Sequence, residues 1–254
     1  EGDEIRRGEI PPDLREEAHR RRNDLLDAAS MFSDELTEAI LEDRVTEELI
    51  HAAVRRGTIA RKLTPVFMGS AYKNKGIQAL LDGIVRYLPD PSEVKNIAVD
   101  QSAPPDAPAE VVLSSDPDAP PVLLAFKLED GPYGQLTYIR IYQGRIQKGT
   151  ELQNARSGQR IKVGRLIRMH ADHMEDIPEA TAGDIAALFG IDCASGDTFT
   201  DPSCPYTLTS IFVPEPVISL AVSAPDKRAL DRLAKALNRF SKEDPTFRTF
   251  VDPE

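Results

Sequence analysis

The chain has 254 residues, of which 41% are hydrophobic and 29% are charged, and its formal net charge is −11. This length suffices for two domains with separate cores, and the composition is typical of a globular protein rather than a disordered or membrane one. No apolar run reaches the roughly 20 residues that a membrane helix needs. The charged residues 1–22 predict no signal peptide, and two cysteines, Cys193 and Cys204, predict a reducing compartment.

Residues 10–56 are predicted to form charged surface helices without catalytic residues. Pro11-Pro12-Asp13 is a helix-start signal, and Ser33 and Thr46 are positioned to cap two further helices. Gly57 is predicted to end the third helix.

Residues 63–88 predict a strand, a loop and a helix. The short apolar run at residues 63–68 is bounded by polar segments, which is typical of a buried strand. Residues 69–76 form the loop, and apolar residues then recur at helical spacing from Ile77 to Leu88. A strand, loop and helix in this order predict half of an open α/β layer.

The remaining chain changes character twice. Residues 91–121 are rich in Pro, Asp, Ser and Ala, which predicts a linker or irregular insertion. Residues 122–213 carry short alternating runs separated by turn signals, which predict a small antiparallel barrel. Residues 214–254 predict a strand at 217–222, an amphipathic helix at 226–241 and an extended stretch at 246–251. A lone unit of this size predicts an unpaired edge and a thin core.

The loop at residues 69–76 is the candidate ligand-binding loop. Open α/β sheets bind ligands beyond the carboxyl ends of their strands, where this loop is expected to lie. Gly69 allows a tight turn, Ser70 follows it, and the N–H groups of Ala71 and Tyr72 are candidate donors to a purine carbonyl. The alternative is an ordinary strand-to-helix connector.

One stretch of this acidic chain is basic, and Glu151 is its only acidic interruption. Its members are Arg145, Lys148, Arg156, Arg160, Lys162, Arg165 and Arg168. We interpret Arg156, Arg160, Lys162 and Arg165 as a candidate contact with the backbone of RNA, because Arg and Lys bind phosphates without reading sequence. The alternative is a mixed barrel surface.

Other polar motifs favour ordinary structural explanations. His170 and His173 form an H-x-x-H pair that resembles a zinc motif, but no further ligands are near in sequence. The two glycines Gly131 and Gly134 could indicate a phosphate-binding loop, but such a loop is followed by a helix and this one is not. We therefore predict a hairpin turn there. We predict neither a catalytic residue nor a metal site.

Several motifs resemble elongation factor G in the order in which that family carries them. Residues 64–76 resemble the fifth guanine-nucleotide motif of translational GTPases, and residues 10–59 resemble the end of the insertion in its GTPase domain. GQLT at 134–137, RMHA at 168–171 and AGDI at 182–185 are similar to its second domain, and SKEDPTF at 241–247 to the start of its third. Residues 188–201 and 91–94 look most like the mitochondrial type, of which some bacteria carry relatives.

The resemblance implies a multidomain α/β plus all-β fold. Residues 1–90 would be the end of a P-loop GTPase domain with its helical insertion, and residues 91–121 a linker. Residues 122–213 would be the translation-factor antiparallel β-barrel, and residues 214–254 the start of domain III, an incomplete ferredoxin-like βαβ unit.

The resemblance also implies a function for the full-length protein, a GTPase that drives movement of transfer RNA and messenger RNA on the ribosome. GTP or GDP with Mg would be its cofactors, and its location would be the bacterial cytoplasm or the mitochondrial matrix. This sequence contains no G-x-x-x-x-G-K-[ST] loop, switch segment or Asn-Lys-x-Asp motif, so we expect this chain alone to be a non-catalytic monomer without a cofactor. The alternatives are release factor three, a ribosome-protection protein and a non-GTPase RNA-binding barrel.

Overall fold

The computed structural model describes residues 8–104, 106–131, 134–209 and 215–250. The chain divides into two compact units, Glu1–Pro89 and Asp90–Glu254. No helix in these described ranges is long and apolar enough to cross a membrane. Residues 132–133, at the tip of the predicted hairpin turn, and residue 251, at the end of the predicted extended stretch, lie outside them.

The first unit is helical where its structure is regular. A short 3-10 turn precedes its helices, which are α1 (Arg15–Ser30), α2 (Asp34–Leu41), α3 (Glu47–Ile59) and α4 (Ile77–Tyr87). The predicted caps are confirmed: the side chain of Ser33 accepts the Leu36 N–H at 3.2 Å, and that of Thr46 accepts the Leu49 N–H at 3.4 Å. Such caps satisfy N–H groups that have no partner within the helix.

The core of this unit is small and lies between the helices. Its buried members are Ala29, Leu36, Ile50, Ala53, Val54 and Tyr87. The prediction that Gly57 ends α3 is wrong, because the helix continues to Ile59. A Cβ at Gly57 would lie 2.8 Å from the ring of Phe32, so this glycine allows close packing rather than a helix end.

The strand predicted at residues 63–68 is wrong for this structure, which has no regular element there. A strand is stabilised by hydrogen bonds to a neighbouring strand. No strand lies elsewhere in the described part of the first unit, and Val66 and Met68 are largely exposed. The apolar run therefore has the composition of a strand but no partner.

The second unit is built mainly from antiparallel strands. They are β1 (Asn96–Asp100), β2 (Ala109–Leu113), β3 (Val122–Gly131), β4 (Gly134–Gln143), β5 (Arg145–Gln147), β6 (Glu151–Asn154), β7 (Arg160–Lys162), β8 (Leu166–His170), β9 (His173–Asp176), β10 (Glu179–Thr181), β11 (Ile185–Phe189), β12 (Thr198–Thr200) and β13 (Tyr206–Leu208). Eight of them form one sheet in the order β7-β6-β12-β3-β4-β11-β8-β9, and β10 pairs with β5.

Alternation of side chains along these strands builds the core of the sheet. Ile139 and Ile141 of β4 are both fully buried, as expected for residues two apart on one face. Phe199 of β12 is the largest fully buried side chain of the cluster, and Ile146 of β5 also belongs to it. The predicted antiparallel β-barrel is therefore confirmed as a curled antiparallel sheet around this core.

The linker predicted at residues 91–121 contains two strands instead. β1 pairs with β2 and with β13 in a three-stranded antiparallel sheet, in which Ala98, Leu113 and Leu208 are buried. The Pro-rich composition belongs to the connections on either side of β2, from β1 to β2 and from β2 to β3. Buried apolar residues on both strands explain why they pair.

The βαβ unit predicted at the end of the chain has only its helix, α5 (Lys227–Glu243). Residues 217–222 and 246–250 are not strands, and Val217 is 94% exposed. Among the described residues no further strand lies beside them to pair with. The predictions of strands at 217–222 and 246–250 are therefore wrong for this structure. As at residues 63–68, no neighbouring strand in the described part of the chain supplies the hydrogen bonds that a strand needs.

Candidate functional site

The predicted guanine-contact loop is closed by hydrogen bonds between its two ends. The Ser70 N–H donates to the Lys75 carbonyl at 2.9 Å, and the Lys75 N–H donates to the Ser70 carbonyl at 3.0 Å. Within the loop, the Asn74 N–H donates to the Ala71 carbonyl at 3.1 Å. These bonds fix a tight turn that leads directly into α4.

Two glycines allow the ends of this loop to approach each other. A Cβ at Gly69 would lie 2.6 Å from the Lys75 carbonyl oxygen, and one at Gly76 would lie 2.7 Å from that of Met68. Gly76 also has a φ of 73°, a left-handed conformation that favours glycine. The close approach of two backbones is therefore the physical reason for glycine at both positions.

The structure brings the four predicted loop residues together. Gly69 and Ser70 form the base of the loop, and Ala71 and Tyr72 lie in its exposed tip. The side chain of Tyr72 is 99% exposed, so it has no packing role in this unit. The turn is exposed to solvent and lies directly before α4.

The predicted RNA-contact residues do not all lie at one edge of the eight-stranded sheet. Arg156 follows β6 and Arg165 precedes β8, whereas Arg160 and Lys162 lie on β7, an edge strand. The partner strand β6 places Lys162 opposite Glu151 and Arg160 opposite Gln153. Arg160 and Lys162 are exposed on one face of β7, whereas Ile161 between them packs against the core. These two cations are therefore held side by side on a defined edge.

Arg156 has a structural partner within the barrel. Its guanidinium donates to both carboxylate oxygens of Asp197, at 2.7 and 3.0 Å. The side chain of Asp197 is only 4% exposed and also accepts from Asn154 at 2.8 Å and from the Ala194 N–H at 3.0 Å. Burial raises the pKa of Asp197, but the hydrogen bonds from Arg156, Ala194 and Asn154 outweigh it and hold the pKa below its usual value.

Arg165 is also in an ion pair. Its guanidinium donates to the two carboxylate oxygens of Asp176 at 2.7 and 3.0 Å. The hydrogen bond from Arg165 lowers the pKa of Asp176 and raises that of the guanidinium. Both side chains are at least half exposed, so solvent weakens the pair and the arginine remains accessible to a further anion.

Sequence reasoning missed two features of the second unit. Asp197 lies in a Ser-Gly-Asp turn, and only the fold brings it to Asn154 and Arg156. The basic side of α5 was missed as well, although repeated Arg and Lys at intervals of three and four residues are visible in the sequence.

The two histidines of the H-x-x-H pair lie opposite each other on β8 and β9. His170 Nε2 lies 3.4 Å from a carboxylate oxygen of Glu175. Within the described ranges, no three His, Cys, Asp or Glu residues are grouped where they would hold a metal ion.

Two family models match parts of the second unit. Residues 134–200 match the family described as Elongation factor Tu domain 2, and residues 213–254 match Elongation Factor G, domain III. The chain is 60% identical over 253 residues to Elongation factor G 1 of Treponema pallidum (strain Nichols) and 58% identical over 254 residues to Elongation factor G 2 of Anaeromyxobacter dehalogenans (strain 2CP-C). The chain belongs to the elongation factor G family. Each comparison covers 100% of this chain and 36% of the relative, so the chain spans about a third of the length of these curated relatives.

A solved structure has a similar fold along the whole chain. A crystal structure of a Thermus thermophilus protein superposes with a TM-score of 0.76 at 25% identity, covering 100% of this chain and 36% of that one. The predicted membership and the translation-factor β-barrel are thus confirmed. The relatives are named elongation factor G and do not favour the three alternatives raised from the sequence. They are bacterial, and the mitochondrial-type prediction is not confirmed by them.

Proposed function

We propose that this chain is the central part of a GTP-driven ribosomal translocase that moves transfer RNA and messenger RNA during elongation. The observation that carries the proposal is 60% identity with Elongation factor G 1 along the whole chain. In this proposal residues 1–90 end the GTPase domain, residues 122–213 are domain II and residues 214–254 begin domain III. The complete protein uses GTP or GDP with Mg, associates with the ribosome as a monomer and functions in the cytoplasm.

The loop at residues 69–76 is proposed to contact the guanine base when the rest of the nucleotide site is present. Its support is the tight turn closed by Ser70 and Lys75, which exposes the tip of the loop before α4. Backbone donors at Ala71 and Tyr72 suit a purine carbonyl because their geometry is fixed by the turn. The phosphates and the metal are bound by other parts of the complete protein.

Ribosome-dependent catalysis by the complete protein tests the function. We expect GTP hydrolysis to be strongly stimulated by ribosomes and messenger RNA to advance by one codon in a toeprint assay. Absence of both activities in the folded protein would contradict the proposal.

A substitution in the complete protein tests the loop at residues 69–76. Ala71→Pro removes one N–H donor and is expected to weaken GDP binding roughly tenfold, which is the value of one good hydrogen bond. Lys73→Ala, a change of side chain only in the same turn, is the control and should leave GDP affinity unchanged.

The edge strand β7 is proposed to contact ribosomal RNA through Arg160 and Lys162, with further contacts from Arg156 and Arg165, which precede and follow it in the chain. The proposal is supported by the exposure of Arg160 and Lys162 on the same face of β7. Arg156 contributes less in this proposal, because Asp197 already neutralises its charge. In the complete factor, Arg160→Glu with Lys162→Glu should weaken ribosome binding and flatten its salt dependence. Unchanged affinity and an unchanged salt slope would show that this edge is only a solvated surface.

A further inference from the structure

Helix α5 carries far more positive charge than the chain around it. Six of its 17 side chains are basic and two are acidic, whereas the whole chain has a net charge of −11. Residues three and four apart lie on the same side of a helix. Four of the basic side chains follow that spacing: Arg232, Lys235, Arg239 and Lys242. We call this side of α5 the basic face.

The basic face lines an open groove of about 460 Å³ against the start of β4. Ala236 and Asn238 complete the helical wall, and Gln135 of β4 lies on the opposite wall. The side chain of Gln135 is held in place, because its Nε2 donates to the Ile191 carbonyl at 3.1 Å. One wall of the groove is therefore fixed by the barrel.

The helix is also held against the barrel at its C-terminal end. The Ser195 N–H donates to the Lys242 carbonyl at 2.9 Å, and the Ser195 hydroxyl donates to the Glu243 carbonyl at 2.9 Å. These bonds satisfy carbonyl groups that the last turn of a helix leaves without partners. The groove consequently has a defined shape although the strands expected beside α5 are not formed.

Only part of the positive charge in the groove is neutralised. Lys242 pairs with Asp192 at 2.6 Å, and Arg239 pairs with Glu243 at 3.3 Å. For Arg232 and Lys235, the structure shows no carboxylate at ion-pair distance in the residues it describes, and both side chains are exposed. Two strongly donating cations therefore face the groove and attract an anionic ligand.

We propose that this groove binds successive phosphates of an RNA backbone. From Arg232 to Lys242 the basic face extends about 15 Å along the helix, at 1.5 Å per residue, which exceeds the size of a single phosphate. A row of Arg and Lys on an open groove suits a continuous polyanion, since such contacts position a backbone without reading its sequence. The inference rests on the proposed ribosomal function, and it names a second RNA-binding surface separate from the residues of β7.

Binding of a fluorescent RNA stem-loop to the present chain, measured by anisotropy across a range of salt concentrations, tests the groove. Arg232→Gln with Lys235→Gln should weaken binding about tenfold at low salt and lower the salt slope by about 1.5, since each phosphate contact contributes roughly 0.7 to 0.9. Arg21→Gln with Arg22→Gln on α1 makes the same change of net charge away from the groove. This control should change affinity less than about threefold.

A conservative variant separates charge from folding. Arg232→Lys with Lys235→Arg keeps both cations and should retain the affinity of the unchanged chain, with equal helix content by circular dichroism. Equal losses in the glutamine variant and the α1 control would overturn the proposal, because net charge alone would then explain binding. Displacement of RNA by inorganic phosphate beyond that by chloride at matched ionic strength would also overturn it, in favour of a single-anion site.

The two proposals fail in different ways. An unchanged RNA affinity in the glutamine variant, together with ribosome-stimulated GTP hydrolysis by the complete protein, would refute the groove alone. RNA binding through the groove without such hydrolysis would refute the translocase function alone.

Discussion

At the scale of single residues, Asp197 is a buried polar group with several hydrogen-bond partners in the barrel. Its buried carboxylate accepts hydrogen bonds from the side chains of Asn154 and Arg156 and from the backbone of Ala194. It therefore joins the turn after β6 to the loop before β12. The same loop carries Ser195, which holds the end of α5.

Replacement of this carboxylate should destabilise the barrel. Asp197→Ala leaves the buried Asn154 amide and the Ala194 N–H without acceptors, and we expect a loss of about 2 to 4 kcal/mol in the free energy of unfolding. Arg156→Gln should lose less than about 1 kcal/mol, because that side chain is mostly exposed. Urea unfolding followed by circular dichroism measures both, and equal effects would contradict the central role of the carboxylate.

Cys193 gives a prediction about pH. Its thiol lies in the barrel core, and burial raises its pKa from 9.0 to about 11. The folded state therefore holds the thiol proton more strongly than the unfolded state. The contribution of this group to the free energy of unfolding is complete below about pH 9 and is lost as the pH rises to about 11.

The melting temperature from pH 8 to pH 11 tests this dependence. The unchanged chain should lose stability more steeply than Cys193→Ala above about pH 9, because only the former has a thiol that ionises more readily in the unfolded state. The comparison removes the contribution of other titrating groups. Parallel curves for the two proteins would show that the thiol does not ionise on unfolding.

At the scale of elements, regular structure forms where the described chain supplies a partner. β4 is paired on both sides, with β3 and β11, whereas residues 217–222 have no neighbouring strand among the described residues. α5 lies between these cases, since its C-terminal end is bonded to the barrel and Leu230 remains 54% exposed. Protection of backbone amides from hydrogen exchange should therefore be highest in β4, intermediate in α5 and lowest in residues 217–222.

Hydrogen exchange by mass spectrometry measures that order within one sample. We expect the amides of residues 217–222 to exchange first, those of α5 next, and those of β4 and β11 last, because local opening is easiest where few apolar groups are buried. The barrel strands of the same molecule are the internal control. Equal protection of residues 217–222 and β4 would mean that the apolar segment is covered by another chain.

At the scale of the whole molecule, the sequence lacks the groups that give a guanine nucleotide most of its affinity. The loop at residues 69–76 offers backbone contact to a base, but the sequence has neither a phosphate-binding G-x-x-x-x-G-K-[ST] loop nor an Asn-Lys-x-Asp motif. Charge-assisted hydrogen bonds to phosphate are much stronger than neutral contacts.

The present chain should therefore bind GDP with Mg more weakly than the micromolar range. Isothermal titration calorimetry tests this directly, with the complete protein as the positive control. A micromolar or tighter dissociation constant for the present chain would contradict the prediction, and would show that the loop binds nucleotide without phosphate donors.

Much of the architecture is determined by the sequence alone. The caps at Ser33 and Thr46 and the helical spacing from Ile77 to Tyr87 are local signals, and the structure has helices at those places. Alternation of apolar residues in β4 likewise predicts a strand with one face in a core. These features depend on neighbours within a few residues, which explains why they are legible in one sequence.

The tertiary structure decided what depends on distant partners. Residues 63–68 and 217–222 have the composition of strands, but strands need hydrogen bonds from segments that the described chain does not place beside them. The pairing of Arg156 with Asp197, 41 residues away, is also a product of the fold, and it changes the interpretation of the basic stretch. Local sequence fixes the preference of a segment, whereas its pairing and the charge left at its surface are set by contacts between residues far apart in the chain.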